Sequence, residues 1–352
     1  MTVWQAPSLG VAAGLLADEA LNALFTPDAE LEAMLAFERA LAKAEQAAGN
    51  LSEESLRAVL AACCPDFLDR TALAEGFYRD GVVVPALVRQ LRATIVEPHA
   101  QYLHRGATSQ DVIDSGLMLR LKPAVAILED RLSALILEFE TFAAASGRQR
   151  VMARTRFRDA LPFTLADRVE TWVAPLRELR AETPSVFPLQ LGGPIGLRAE
   201  AFGPLHAAIA ETLSQELGLC LWERAWHGDR RPLWAIAQWC AALTTALGKV
   251  GIDVALMAQT AVGEIRTPGG GSSAMPHKSN PVGAERLVTL SRYVSGQAAL
   301  LQTAALHENE RSGIAWSLEW LVLPPLIVGC GAATLSAAQL LAGLQPGDGS
   351  GA

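Results

Sequence analysis

The five cysteines of this sequence, Cys63, Cys64, Cys220, Cys240 and Cys330, form no C-x-x-C pair and keep no spacing to histidine that would ligate zinc. An odd, dispersed set reads as reduced core thiols of a cytoplasmic protein, and no metal site is expected. Positive charge is also scarce, with 29 lysines and arginines against 37 aspartates and glutamates and a formal charge of −8. That balance argues against a nucleic-acid partner, which needs basic patches. No cationic stretch runs into an apolar one at the start, so no secretory signal is expected. Charges or prolines interrupt the apolar stretches before membrane-spanning length, which predicts a soluble chain with no membrane partner.

What is present is apolar and helical. Hydrophobic residues make up 51% of the chain and charged ones 19%, enough for a substantial core. Leu117, Leu121, Val125, Leu128, Leu132, Leu135, Ile136 and Phe139 recur at three- and four-residue steps, predicting one long amphipathic helix over 117–142. Asp111 or Asp114 is placed to cap its start, and Ser146-Gly147 to end it. Further long helical patterns run over about 232–262, 281–306 and 313–344, with a shorter piece over 163–179. Helices this long pack lengthwise in a bundle. Their alanine-rich faces are apolar nearly all round, so burial by other subunits, a homo-oligomer, is expected. Residues 1–105 read as a smaller helical domain (segments 28–49, 52–63 and 67–74), 106–344 as the bundle, and 345–352 as a frayed tail. Val82-Val83-Val84-Pro85 is the one β-branched run, and its proline weakens a strand assignment.

Polar islands interrupt this background. His104-Arg-Gly-Ala-Thr-Ser-Gln-Asp-Val-Ile-Asp114 precedes the first long helix; Thr108 and Ser109 there either bind an anion with the free helix amides or form an ordinary capping box. Arg154-Thr-Arg156 with Arg158, followed later by Leu189-Gln-Leu-Gly-Gly193, is either a solvated face or a cationic site. His307-Glu-Asn-Glu-Arg-Ser312 adds another arginine. The richest island is Gly269-Gly-Gly-Ser-Ser-Ala-Met-Pro-His-Lys-Ser-Asn-Pro281, with Glu285 just beyond. Glycines beside Lys-Ser suggest a nucleotide P-loop, but His277 stands where that motif needs glycine and no βαβ pattern surrounds it. A glycine-rich loop carrying a hydroxyl and an ammonium instead suits chemistry on a carboxylate.

Together the islands resemble the fumarase/aspartase superfamily, whose loop signature has the form G-S-S-x-M-P-x-K-x-N-P; residues 271–281 fit every defined position. The resemblance implies an all-α long-helix bundle, a homotetramer with a central multi-helix core, and active sites each built from three subunits. Gly106–Asp114 and Leu189–Gly193 are most similar to the cycloisomerase branch, which closes 3-carboxy-cis,cis-muconate to a lactone in protocatechuate breakdown, without a cofactor. The adenylosuccinate lyase branch has a histidine where this chain has Arg156; cycloisomerases often have tryptophan there. By position, the resemblance makes Ser272 the catalytic serine and Lys278 and Asn280 ligands of the substrate carboxylate. Glu285 matches the acidic partner of the replaced histidine and is expected either to fix Arg156 for substrate or to bridge to it structurally. His104, Thr108, Ser109, Arg154, Arg156, Gln190, Ser273 and Arg311 complete the expected contacts with a small multi-anionic substrate. A sulfonated muconate, a fumarate-releasing elimination, or a scaffold that has lost activity are the competing readings. The chain also ends where many family members continue into a small C-terminal domain, which is expected to be absent here.

Overall fold

The computed structural model describes residues 10–197, 202–271, 273–275 and 278–348. Helices dominate it. Five come first: α1 (Glu19–Ala23), α2 (Pro27–Ala47), α3 (Glu53–Ala62), α4 (Arg70–Asp80) and α5 (Val84–Ala93). Side-chain caps set their starts. Thr26 Oγ1 accepts the Ala29 amide at 3.1 Å with Pro27 in the first turn of α2, and Asp69 accepts the amides of Thr71 and Ala72 ahead of α4. The Val82–Pro85 run is not a strand. Proline fits the first turn of α5, where its missing N–H is not needed, and Val84, Leu87, Val88 and Leu91 bury one helical face.

The bundle begins with α6 (Ser109–Ser146), whose stripe from Leu117 to Phe139 is buried as the spacing predicts. α7 (Leu165–Ala181) packs along it; α8 (His206–Leu217) packs on α2, which itself crosses α6. Three long helices complete the core: α9 (Arg231–Met257), α10 (Val282–Thr303) and α11 (Gly313–Ala342). Glycines let α10 approach its neighbours, since a Cβ on Gly251 of α9 would lie 2.6 Å from the Ala284 carbonyl oxygen. By length and composition α9 and α11 are long and apolar enough to cross a membrane, against expectation. Of their most apolar windows, 56% and 72% respectively are buried inside the fold, so both act here as core helices.

Two pairs of strands were not foreseen. β1 (Arg150–Thr155) and β2 (Arg158–Thr164) form an antiparallel hairpin between α6 and α7. β3 (Ile265–Arg266) pairs with β4 (Gln345–Pro346), so the start of the expected frayed tail is held in a ladder. Gln149 adds to that clasp, its Nε2 donating to the carbonyls of Glu264 (2.9 Å) and Gly347 (3.0 Å).

Candidate active site

The start of α6 is a polar node. Thr108 is its N-cap, and Asp111 Oδ2 accepts the Thr108 amide at 3.0 Å. The Asp111 carboxylate also accepts the amides of Gly192 (2.7 Å) and Gly193 (2.9 Å) and lies 3.1 Å from His227 Nε2. Asp111 thus ties the Leu189–Gly193 island to the first one. Arg311 Nη1 donates to Thr108 Oγ1 at 2.8 Å, which joins two expected site residues 203 positions apart. Ser109 lines an adjacent cleft with His104. His104 Nδ1 lies 2.6 Å from Glu38 Oε1; burial alone would lower its pKa, but the neighbouring carboxylate outweighs burial and raises it.

Directly beneath lies a buried ionic cluster. Arg230 binds Asp114 at 2.7 and 3.0 Å and Glu319 at 2.8 and 2.6 Å, all three side chains being buried. Burial opposes both charges, yet the paired carboxylates hold the Arg230 pKa well above its usual value, and Arg230 holds that of Asp114 below its own. Trp316 Nε1 donates to Asp114 Oδ1 at 3.1 Å. Gln190, expected among the substrate ligands, belongs to this cluster. Its Nε2 donates to Asp114 at 3.3 Å and its Oε1 accepts the Trp226 amide at 2.8 Å, with no exposed surface left for a ligand.

The hairpin and the signature loop sit elsewhere. Arg154 is held by Glu264 through two hydrogen bonds of 2.9 and 3.0 Å and by Asp159 at 2.9 Å. Its donors are therefore largely spent within the fold. Arg156 and Phe157 form the hairpin tip with φ of 51° and 63°, the left-handed region that such two-residue turns require and that glycine and asparagine normally fill. Arg156 makes no ion pair among the described residues and faces a cleft shared with Arg168, Lys249 and Asp253. No bridge joins it to Glu285 within the chain. Glu285 stands exposed in the first turn of α10, where a carboxylate suits the helix dipole.

The loop neck is closed by paired bonds between Gly270 and Asn280, at 2.8 and 3.0 Å. Close approach explains two of its three glycines: a Cβ on Gly269 would overlap Ser279 Oγ, and one on Gly270 would lie 2.5 Å from Val282. Ser273 and Lys278 are exposed and Asn280 is half-buried. Ser272 lies outside the described residues.

These groups form two separate clusters. Thr108, Ser109, His104 and Arg311 gather where α6 and α11 begin. The loop leads into α10, whose Gly283 packs on Leu340, about 40 Å along α11 from its start at 1.5 Å per residue. Arg154 and Arg156 share that far end, through Glu264 just ahead of β3. Within one chain the two clusters stay apart. Among the described residues, no group of three or more histidine, cysteine, aspartate or glutamate side chains is placed to hold a metal.

A family model described as lyase matches residues 17–296. The chain belongs to the fumarase/aspartase superfamily. It is 37% identical over 337 residues to a 3-carboxy-cis,cis-muconate cycloisomerase of Pseudomonas aeruginosa, covering 92% of this chain and 73% of that protein. A nitrosuccinate lyase of Streptomyces davaonensis is 34% identical over 370 residues, covering 98% of this chain and 77% of the relative. Among solved structures, the 3-carboxy-cis,cis-muconate lactonizing enzyme from Pseudomonas putida superposes with a TM-score of 0.88 at 33% identity, covering 96% of this chain and 77% of that one.

Sequence reasoning did not single out His227, Arg230 and Glu319, which tie the start of α6 to the elements around it. A signal for Glu319 existed. A carboxylate between Trp316 and Trp320 in an apolar helix must be paired when buried, and its partner has to be a cation from another element. The four non-glycine residues with positive φ among the described ones, His104, Arg156, Phe157 and Asn309, all fall in polar islands. Backbone strain of this kind concentrates at functional sites.

Proposed function

We propose that this protein closes 3-carboxy-cis,cis-muconate to its lactone. The observation that carries the reading is similarity to named cycloisomerases over about nine-tenths of the chain, at 35 to 37% identity. Arg156, standing where adenylosuccinate lyases have a catalytic histidine, supports ring closure over that elimination.

In this reaction one carboxylate oxygen adds to a double bond, the π pair moves to the carbon beside another carboxylate, and that carbon takes a proton. Negative charge gathers on the latter carboxylate in the transition state, so fixed donors there speed the reaction. Lys278, Asn280, Ser273, Thr108 and Ser109 are the proposed donors, and Ser272 the group that exchanges the proton. Arg156, Arg311 and His104 neutralise the remaining carboxylates, with guanidinium forks suited to the task. Glu285 steadies the loop end from the first turn of α10. Gln190 and Arg154 act by positioning, since their polar atoms are engaged inside the fold.

The working form is a cytoplasmic homotetramer whose sites draw on three subunits. Two features support this: the separation of the two clusters, and the exposure of Leu137, Leu256, Leu300 and Leu321 on the long helices, apolar surface suited to burial by other copies. The deciding assay follows loss of diene absorbance with purified protein on 3-carboxymuconate and on 3-sulfomuconate. The similarity to a nitrosuccinate lyase favours a second reading, β-elimination from a substituted succinate. Nitrite and fumarate released from nitrosuccinate, with no loss of diene, would replace the cycloisomerase reading.

A further inference from the structure

The cleft between α5 and the start of α6, about 310 Å³, carries positive charge that is only partly offset: Glu38 pairs with His104, and Asp80 stands 3.8 Å from Arg89. Pro85 and Val88 form an apolar wall; Arg89, Arg92 and His104 form the cationic side, with Ser109 at the helix start. No carboxylate lines it. Arg89 lies 3.8 Å from Asp80, which already holds Arg79 through bonds of 2.8 and 2.7 Å. Arg92 Nη2 donates to the Leu103 carbonyl at 2.8 Å and has no carboxylate partner among the described residues. Two neighbouring arginines are compensated, Arg105 by Glu45 and Arg230 by Asp114 and Glu319. Like charges three residues apart on one helix repel, and an anion seated between them would relieve that repulsion.

Building on the cycloisomerase reading, we propose that Arg89 and Arg92 bind the carboxylate by which a tricarboxylate differs from a dicarboxylate. They thereby set the substrate class as small trianionic acids. Two guanidinium groups offer paired N–H donors to one carboxylate, and Pro85 and Val88 lie against the carbon chain. Ser109 and His104, in the same cleft, connect this subsite to the half-site at the start of α6.

The test is a binding titration of tricarballylate and glutarate to the full chain, as wild type, Arg89→Gln, Arg92→Gln and the double variant. Glutamine at 92 keeps a donor for the Leu103 carbonyl, and the Arg89 side chain is 63% exposed, so these changes spare the core. Wild type is expected to prefer tricarballylate. Each single variant should weaken tricarballylate binding about tenfold, the scale of a lost charge-assisted hydrogen bond. The double variant should lose the preference, and an Arg89→Lys/Arg92→Lys chain should recover part of it. A preference that survives in the double variant, or is absent from wild type, overturns the assignment. Binding is read without turnover. A chain that keeps the arginine-dependent preference but leaves 3-carboxymuconate unchanged would sink the cycloisomerase reading and leave this subsite standing.

Discussion

Arg154 and Arg156 stand two positions apart, and their surroundings give them different work. Arg154 spends its donors on Glu264 and Asp159, whereas Arg156 is held at a strained hairpin tip with no carboxylate partner. Arg154→Ala should lower unfolding stability by about 1–2 kcal/mol, a charged hydrogen bond discounted for partial exposure, as read by urea denaturation. Arg156→Ala should instead raise KM at least about tenfold with little change in the urea midpoint; matching effects from the two variants would contradict this division. The sequence showed the cluster but not the division, because Glu264 lies 110 positions from Arg154 and only the fold joins them. His104 adds a pH dependence. Its pKa is raised in the fold through Glu38, so this pair stabilises the protein below about pH 6.5, the ordinary imidazole value, and its contribution disappears as pH rises through the folded pKa. The melting temperature of wild type minus that of His104→Gln should therefore shrink between pH 6 and 9. A difference that grows with pH would place the proton elsewhere.

At the scale of elements, the beginnings of α6, α9 and α11 are joined by the Asp114–Arg230–Glu319 cluster. Arg230→Met would leave two buried carboxylates without their arginine, with the buried His307 ring 3.5 Å from Glu319 as the one neighbouring base among the described residues. Loss of about 3–5 kcal/mol is expected, measured by guanidinium unfolding, because removing one partner strands buried charge. A loss under about 1 kcal/mol would mean that water reaches the cluster. The helices themselves were legible, since each long one writes its buried stripe in three- and four-residue steps. The β1–β2 hairpin was not. A half-buried strand announces itself by alternation, but most of Arg158–Thr164 is exposed and Pro162 interrupts it, so no buried face imposes a period. At Val82–Pro85 the proline had already weakened a strand assignment: β-branched residues favour strands only weakly, and a buried face together with a proline in the first turn starts a helix at Val84.

At the scale of the molecule, the polar islands read from the sequence as one constellation, while the chain folds them into two clusters about 40 Å apart along α11. Periodicity gives a helix its length and its buried face but not its direction. Only the antiparallel course of α10 between α9 and α11 separates Lys278 from Thr108. If each active site draws its halves from different copies, two inactive variants should complement each other. Ser109→Ala damages the half-site at the start of α6, and Lys278→Ala damages the loop half-site; each alone should lose most turnover. Unfolding the two together in equal amounts and refolding them lets each site take its halves at random, so about a quarter of sites should be intact in the mixed oligomers. Turnover recovered toward that fraction, and absent when the variants are refolded separately and then mixed without subunit exchange, is the expected result. If co-refolding restores nothing while the mixed oligomers form normally, both halves must act within one chain, and the long helices would have to bend or the loop travel by tens of ångströms to let them meet.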